Sequence, residues 1–119
     1  MKIAVTSQGT DLNSQVDPRF GRAAYILIVD SETLDFEVLD NKENVAALKG
    51  AGIQAASMVN DKGAEVLLTG YCGPKAFMTL EAAKIRVAND VKGTVEDAVK
   101  AFNEGKLTLA DKANVEGQW

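Results

Sequence analysis

The alternation of apolar and polar stretches along the chain predicts strands in its first third. Apolar runs at Ile3-Ala4-Val5 and over residues 24–30 end at polar residues, which is typical of buried strands. From Leu34 to Asp40, apolar and charged residues alternate, as they do in a half-exposed strand. Only Ser31-Glu32-Thr33 separates this segment from the run before it, so the two predict an antiparallel hairpin.

Helical periodicity dominates the rest of the chain, after a polar connection with some helical character over residues 41–50. Apolar positions recur with the spacing of helices packed on a sheet, and glycines stand where helices end. The final helix is marked by Thr94 as N-cap with Asp97 three residues later, which resembles a capping box. The predicted elements are a helix from Ile53 to Gly63, a strand over 65–69, a helix over 75–83, a strand over 85–88 and a helix from Thr94 to Gly105.

This order of elements predicts an α/β fold with a five-stranded mixed sheet flanked by helices. The first three strands form a meander, and the later strands run parallel because helices connect them through right-handed crossovers. We predict one domain over residues 1–108 and a loose, polar C-terminal tail over residues 109–119.

Three loops carry the candidate chemistry, and the predicted topology brings them to one edge of the sheet. Ligands of open α/β sheets gather at the carboxyl ends of parallel strands. Glycine-rich turns that lead into a helix leave backbone N–H groups without partners, and such turns favour anions. We therefore predict a socket for a small anionic ligand. Its predicted contact residues are Ser7, Gly9, Phe20, Gly21, Arg22, Gly70, Tyr71, Cys72, Gly73, Pro74 and Lys75.

The cations and the single cysteine are the residues of this socket that could bind an anion or a metal most strongly. Arg22 offers a planar fork of donors for an oxyanion or a sulfide. Lys75 lies in the first turn of a predicted helix, where the dipole disfavours a cation; it is either a partner for an anion or a solvated surface residue. Cys72 is either a buried, inert residue or an exposed thiol with a lowered pKa and thus a candidate metal ligand. One thiolate cannot supply the usual four ligands of an iron–sulfur cluster, so a bound cluster would be held mostly without covalent bonds.

Composition and charge narrow the classes of function. A net charge of −4 and a pI near 4.8 give no support for nucleic-acid binding, and no apolar run approaches the length of a membrane span. One cysteine and the absence of a leader pattern predict a cytoplasmic protein. The chain has no histidine, which excludes Ser-His-Asp and Cys-His catalysis. Asp11, Asp17 and Asp30 could be a divalent-metal set, but scattered loop carboxylates are usually solvated, and we expect no enzyme.

Several motifs resemble the dinitrogenase iron–molybdenum cofactor biosynthesis family. The resemblance covers about residues 1 to 108, and the Phe-Gly-Arg-Ala and Gly-x-x-Gly-Pro-x-Ala-Phe elements are fairly specific when they occur together in this order. It implies a ribonuclease H-like α/β fold. The motifs are Met1–Val5, Asp17–Ala23, Gly70–Phe77, Gly93–Ala98 and Phe102–Leu107.

The same resemblance implies a binder or carrier of a metal–sulfur cofactor. A branch of small, acidic, stand-alone members without histidine is most similar to this chain. For that branch the implied ligand is an anionic molybdenum–copper sulfide cluster held non-covalently; another molybdenum- or iron-containing sulfide cluster is the alternative. The implied partners are cytoplasmic P-loop ATPases of the Mrp and MinD type.

Two other functions stay open. In the first, the protein is a regulatory module that acts with an ATPase, the small ligand is incidental, and Tyr71 and Phe20 contact the partner. In the second, it is an enzyme such as a phosphate-ester hydrolase, for which the sequence assembles neither a base nor a metal site.

Overall fold

Five strands form one mixed sheet in the computed structural model, which describes residues 1–45 and 50–110. The sheet order is β3-β2-β1-β4-β5, with β1 antiparallel to β2 and parallel to β4. The predicted mixed sheet of five strands, with a meander followed by parallel strands, is thus confirmed. The strands are β1 (Lys2–Ser7), β2 (Tyr25–Asp30), β3 (Phe36–Asp40), β4 (Val66–Leu68) and β5 (Arg86–Ala88).

Helices cover both faces of this sheet and bury two apolar cores. Side chains of alternate strand residues point to opposite faces, so Ala4 faces one core while Ile3 and Val5 face the other. The first core is closed by α2 and α3, and the second by α4. None of the described helices combines the length and the apolar character needed to cross a bilayer. The helices are α1 (Lys42–Val45), α2 (Ala51–Asp61), α3 (Pro74–Ala82) and α4 (Val95–Asn103).

The β2–β3 hairpin confirms the predicted pairing but moves one boundary. Leu34, expected in the strand, has a left-handed φ of 64° and donates its backbone N–H to Asp30 O at 2.9 Å. This turn occupies the residues before Phe36, so β3 is two residues shorter than the alternating pattern predicts. The pattern counts apolar residues and does not report the turn geometry that uses one of them.

Residues 10–21 are polar and contain Pro18 and Gly21 as breakers, a composition that predicts a long surface loop, but the segment is partly a core element. Val16 pairs with Ser7 in an isolated bridge, and Val16, Asp17 and Phe20 are buried. The interpretation as a surface loop is therefore wrong at these positions. Polar composition hides the contacts because only two of the residues involved are apolar.

The C-terminal residues 109 and 110, assigned to the tail by the sequence, contact the sheet. Leu109 bridges to Ala88, and Ala110 donates its N–H to Val87 O at 2.7 Å. The rest of the expected tail, residues 111–119, lies outside the described residues.

Candidate functional site

Two of the predicted loops join directly at the carboxyl edge of the sheet. Tyr71 donates its backbone N–H to Pro18 O at 2.6 Å, and its carbonyl accepts the Phe20 N–H at 3.0 Å. Arg19 and Tyr71 form a parallel bridge as a result. The Phe20-Gly21-Arg22 loop and the Gly70–Lys75 turn are therefore one connected surface, as the topology predicts.

Close backbone contact explains the glycines of these loops. A Cβ on Gly70 would lie 2.6 Å from Pro18 O, and one on Gly21 would lie 2.8 Å from Gly52 Cα. Gly21 also has φ of 92°, a conformation that a side chain disfavours. The glycines therefore let the loops pack on each other and on α2, whether or not a ligand is present.

The N-terminus of α2 is a third part of this site, which the sequence interpretation missed. Gly52 lies against Gly21 on one side and against Ala76 of α3 on the other, where a Cβ on Gly52 would come within 2.9 Å of Ala76 Cβ. The N-termini of α2 and α3 are therefore neighbours. A signal was available, since Gly50 and Gly52 flank a helix start, but the polar composition of residues 41–50 predicts a connection there.

Both of these helix N-termini are open. Their N-caps are glycines, Gly50 and Gly73, and neither helix has a side-chain cap or an acidic residue in its first turn. Among the residues that the structure describes, none accepts a hydrogen bond from the N–H groups of residues 51–53 or 75–76. Two neighbouring helix dipoles therefore place unsatisfied donors and partial positive charge side by side.

The N-terminus of α4 is closed by contrast. The Thr94 hydroxyl accepts the Asp97 N–H at 3.1 Å, so the predicted N-cap is confirmed. Carbonyls of the long loop accept the next donors: Val95 N–H binds Ser14 O and Glu96 N–H binds Leu12 O, both at 2.9 Å. Glu96 and Asp97 add negative charge to the first turn.

Ser7 and Gly9 belong to this closed side and not to the joined loops. Ser7 follows Ile3 and Val5 in alternation, so its side chain faces the α4 core, and it is fully buried. Its hydroxyl donates to Gly9 O at 2.8 Å and accepts the Gly9 N–H at 3.2 Å. The two residues stabilise a turn beside the long loop, so the structure separates them from the other predicted contact residues.

Cys72 lacks the exposure and the lowered pKa that an exposed thiol ligand would have. Its side chain is fully buried in the core formed with Phe20, Ala76 and Phe77. Burial raises the pKa of the Cys72 thiol to about 12. Of the two alternatives that the sequence leaves open for Cys72, the structure therefore fits the buried residue, and the exposed thiol with a lowered pKa is wrong because the turn directs this side chain into the core.

The remaining predicted residues differ in accessibility. Lys75 is exposed, Arg22, Gly73 and Pro74 are half-buried, and Tyr71 is 39% exposed. Phe20 is buried in the core, which does not favour the alternative in which it contacts a protein partner. The aromatic ring of Phe20 anchors the loop in the core. At the surface, the loop presents its backbone and Arg22.

Buried polar groups that the sequence interpretation did not select hold these loops in place. The Thr6 hydroxyl donates to Asp17 O at 2.6 Å, and its oxygen lies 2.9 Å from the Thr69 hydroxyl oxygen. The Asn41 side-chain amide donates to Gly21 O and Ala23 O at 3.1 and 2.8 Å. Polar side chains at strand ends were the available signal, and buried polar groups of this kind are normally hydrogen-bonded.

The three aspartates considered as a metal set do not meet. Asp11 accepts the Asn13 N–H, Asp17 accepts the Arg19 N–H, and Asp30 accepts those of Glu32 and Thr33. Each carboxylate therefore stabilises its own turn. Within residues 1–45 and 50–110, no three Cys, Asp or Glu side chains lie close enough to hold a metal ion.

The architecture defines a small α/β protein whose mixed sheet presents joined loops and two open helix N-termini at one edge. The model of the family described as dinitrogenase iron-molybdenum cofactor matches residues 1–105. The chain belongs to this family, and the family resemblance found in the motifs is confirmed.

Similar proteins agree with this assignment. The apo form of the orange protein from Desulfovibrio gigas is 47% identical, with a TM-score of 0.93 over 96% of each chain. An NMR structure from Thermotoga, of a protein assigned to the DUF35 family, is 38% identical with a TM-score of 0.83 over 98% of each chain. A protein of Methanocaldococcus jannaschii is 29% identical over 109 residues, 90% of this chain and 89% of that one. These relationships support a cofactor-binding or carrier role.

Proposed function

We propose that this protein is a non-catalytic carrier that binds an anionic metal–sulfur cluster between the N-termini of α2 and α3. The observation that carries the proposal is the pair of adjacent, open helix N-termini. A protein of net charge −4 leaves these two termini free of acidic residues in their first turns while closing that of α4. An anionic ligand would satisfy these donors.

The binding energy comes from several weak contacts that act together. Hydrogen bonds to a charged partner contribute about 1.5–3 kcal/mol each, and Arg22 and Lys75 add charge beside the backbone donors. Arg22 follows the Gly21 contact with α2, and Lys75 is the second residue of α3. The two cations therefore flank the paired N-termini, where they would contact sulfide or oxide ligands at the surface of a cluster.

Cys72 does not coordinate the cluster in this proposal. A buried thiol with a pKa of about 12 carries a proton at neutral pH, and the thiolate is the form that binds metal. The cluster is instead held without a protein–metal bond, which permits its transfer to a recipient without breaking one.

The specific ligand that we propose is a molybdenum–copper sulfide cluster. The likeness to the orange protein supports the assignment to the branch for which the sequence resemblance implies this ligand. A cluster made of molybdenum or iron with sulfide would have the same anionic character and is the competing cargo.

Reconstitution of the apo protein with tetrathiomolybdate and copper tests the proposal. We expect a charge-transfer spectrum that depends on the protein and is lost in the double variant Arg22→Ala with Lys75→Ala. The matched control is Arg86→Ala with Lys106→Ala, which removes the same charge from exposed positions away from this edge. Circular dichroism of each variant confirms that it is folded.

The outcomes separate the general proposal from the specific cargo. If iron and sulfide, but not tetrathiomolybdate and copper, give a spectrum that depends on Arg22 and Lys75, the carrier role stands with another cluster. If neither mixture gives such a spectrum, or if the control pair abolishes it equally, the proposed site is wrong.

A docking role with a cytoplasmic P-loop ATPase of the Mrp or MinD type is the second candidate. Exposed apolar side chains support it, since Tyr71 is 39% exposed in the joined loops and Met78 is 68% exposed on α3. A pull-down with the purified ATPase should weaken in Tyr71→Ser with Met78→Ser. Retention of the ATPase by Arg22→Ala with Lys75→Ala would show that this contact does not need the cluster site.

A further inference from the structure

The strand β3 forms a free edge of the sheet with an exposed apolar face. It pairs with β2 on one side, and no strand of residues 1–45 and 50–110 pairs with its other side. Phe36 is 41% exposed and Val38 is 37% exposed. Their register partners Val29 and Leu27 lie in the core under α4, so the two side chains extend that face beyond the described helices.

The outward backbone groups of β3 belong to the same residues. Antiparallel pairs alternate between hydrogen-bonded and non-bonded positions. Asn41 donates to Ala24 O and Asp30 donates to Asp35 O at the two ends of the register, which fixes the alternation. The N–H and C=O groups of Phe36, Val38 and Asp40 therefore point away from β2, toward the open edge.

Negative charge is concentrated in the turn and strand of the hairpin that contains β3, from the last residue of β2 onward. Residues 30–41 contain five acidic residues and no Lys or Arg, whereas the whole chain has a net charge of −4, so all other residues together carry +1. Within the described part of the chain, Glu37 is the one acid of this segment that forms an ion pair, with Lys62 at 2.7 Å. The acids of this segment are Asp30, Glu32, Asp35, Glu37 and Asp40.

We propose that β3 is a docking site for an extended, basic segment of a partner protein, which adds a sixth strand to the sheet. Main-chain hydrogen bonds to an exposed edge provide affinity, and alternate side chains provide specificity. Apolar residues of the segment would pack on Phe36 and Val38, and lysine or arginine residues would meet the acids. A second copy of this chain fits poorly, because pairing β3 with itself would bring two acidic edges together.

Peptide binding followed by amide exchange tests this proposal. The probe is a synthetic nine-residue peptide in which valine and lysine alternate. We expect the amides of Phe36, Val38 and Asp40 to exchange rapidly in the free protein and at least about tenfold more slowly with the peptide. The amides of Glu37 and Leu39, which point to β2, should be protected in both states.

Matched probes distinguish strand pairing from non-specific attraction. A peptide N-methylated at alternate residues, which keeps its charge but loses one row of donors, should bind about tenfold more weakly. The same loss is expected in Phe36→Lys with Val38→Lys, but not in the control Ile53→Lys with Met78→Lys, which adds equal charge at exposed apolar positions elsewhere.

Three results would overturn the proposal. The first is peptide binding without new protection at Phe36, Val38 and Asp40. The second is equal affinity for a peptide that alternates valine and glutamate. The third is a dimeric mass in sedimentation equilibrium without peptide, if the double variant Phe36→Lys with Val38→Lys is monomeric. That result would mean that a second copy of this chain occupies the β3 edge.

Discussion

The N-terminus of α4 lies on one face of the sheet, and the paired N-termini of α2 and α3 lie on the other. The two regions differ in how their unsatisfied backbone N–H groups are treated. Every helix start leaves backbone donors and partial positive charge. At α4 the protein supplies its own acceptors, with Thr94 and two loop carbonyls. At α2 and α3 it supplies glycine N-caps and no first-turn acid.

This difference shows how a helix N-terminus that the protein caps itself is distinguished from one that is left open for a ligand. A side-chain cap contributes a few tenths of a kcal/mol more than a glycine cap, so leaving two neighbouring termini with glycine caps has a small cost to the apo protein. A ligand that supplies the missing acceptors would offset that cost. The comparison therefore predicts opposite effects of similar substitutions at the two places.

The largest effect should come from separating the Phe20-Gly21-Arg22 loop from the N-terminus of α2. Gly21→Ala places a Cβ within about 3 Å of Gly52 and at a left-handed φ, so we expect a loss of about 3 kcal/mol in the free energy of unfolding, measured by urea titration. Gly105→Ala is the control, since Gly105 also has a positive φ but a Cβ there would have no atom within 4 Å; about 1 kcal/mol is expected at that position. Equal losses would show that the Gly21 contact is loose.

The next effect concerns the thiol behind the open end of α3. The pKa of Cys72 is raised in the folded state from 9.0 to about 12, so its contribution to stability is complete below about pH 9 and falls as the pH rises toward 12. Between pH 7.5 and 10.5 the wild type should lose about 2 kcal/mol more than Cys72→Ala. Parallel pH profiles of the two proteins would mean that the thiol ionises in the folded state, and Cys72 would again be a candidate ligand.

A single negative charge should close an open end. Ile53 is exposed in the first turn of α2, and Ile53→Glu should weaken cluster binding about tenfold while stabilising the apo protein by about 0.5 kcal/mol. Met78→Glu adds the same charge on α3 outside its first turn and should change neither quantity as much. Titration of the charge-transfer band and urea unfolding measure the two effects; if both fell together, dipole-based binding would be excluded.

The smallest effects should come from exchanging caps between the two regions. Thr94→Ala should cost about 1 kcal/mol of stability and leave the cluster spectrum unchanged. Gly73→Ser adds a possible cap where the backbone is already extended, with φ of −71°, and should gain a few tenths of a kcal/mol while weakening binding. Thermal unfolding and the reconstitution assay check both, and a Thr94→Ala variant with impaired binding would contradict the separation of the two regions.

The sequence predicts most of the fold because its elements carry local signals. The hairpin of β2 and β3 follows from alternation with a short turn, and the N-cap of α4 follows from Thr94 and Asp97. Boundaries are less predictable, since Leu34 is apolar yet lies in a turn with φ of 64°. The start of α2 at Ala51 is also not predicted, because a helix packed through glycine and alanine lacks a strong apolar stripe at its first turn.

The candidate site is predictable only in part. The sequence predicts the order of the strands, but it does not predict the direction of individual side chains in the loops. The meeting of the Phe20–Arg22 loop with the Gly70 turn follows from strand order. The inward direction of Cys72 and Phe20 depends on how each turn is twisted, and the closeness of Gly52 to Ala76 depends on how two helices pack. Neither leaves a pattern in a single sequence.

The contact between Gly52 and Ala76 also constrains how relatives of this chain can vary. The spacing between the helices limits the summed side-chain volume at these two positions, and does not limit either residue by itself. An alanine where this chain has Gly52 is therefore expected with a glycine where it has Ala76. A relative with larger residues at both positions would hold its helices apart, and its two N-termini would be too far apart for one anionic ligand of the kind that we propose.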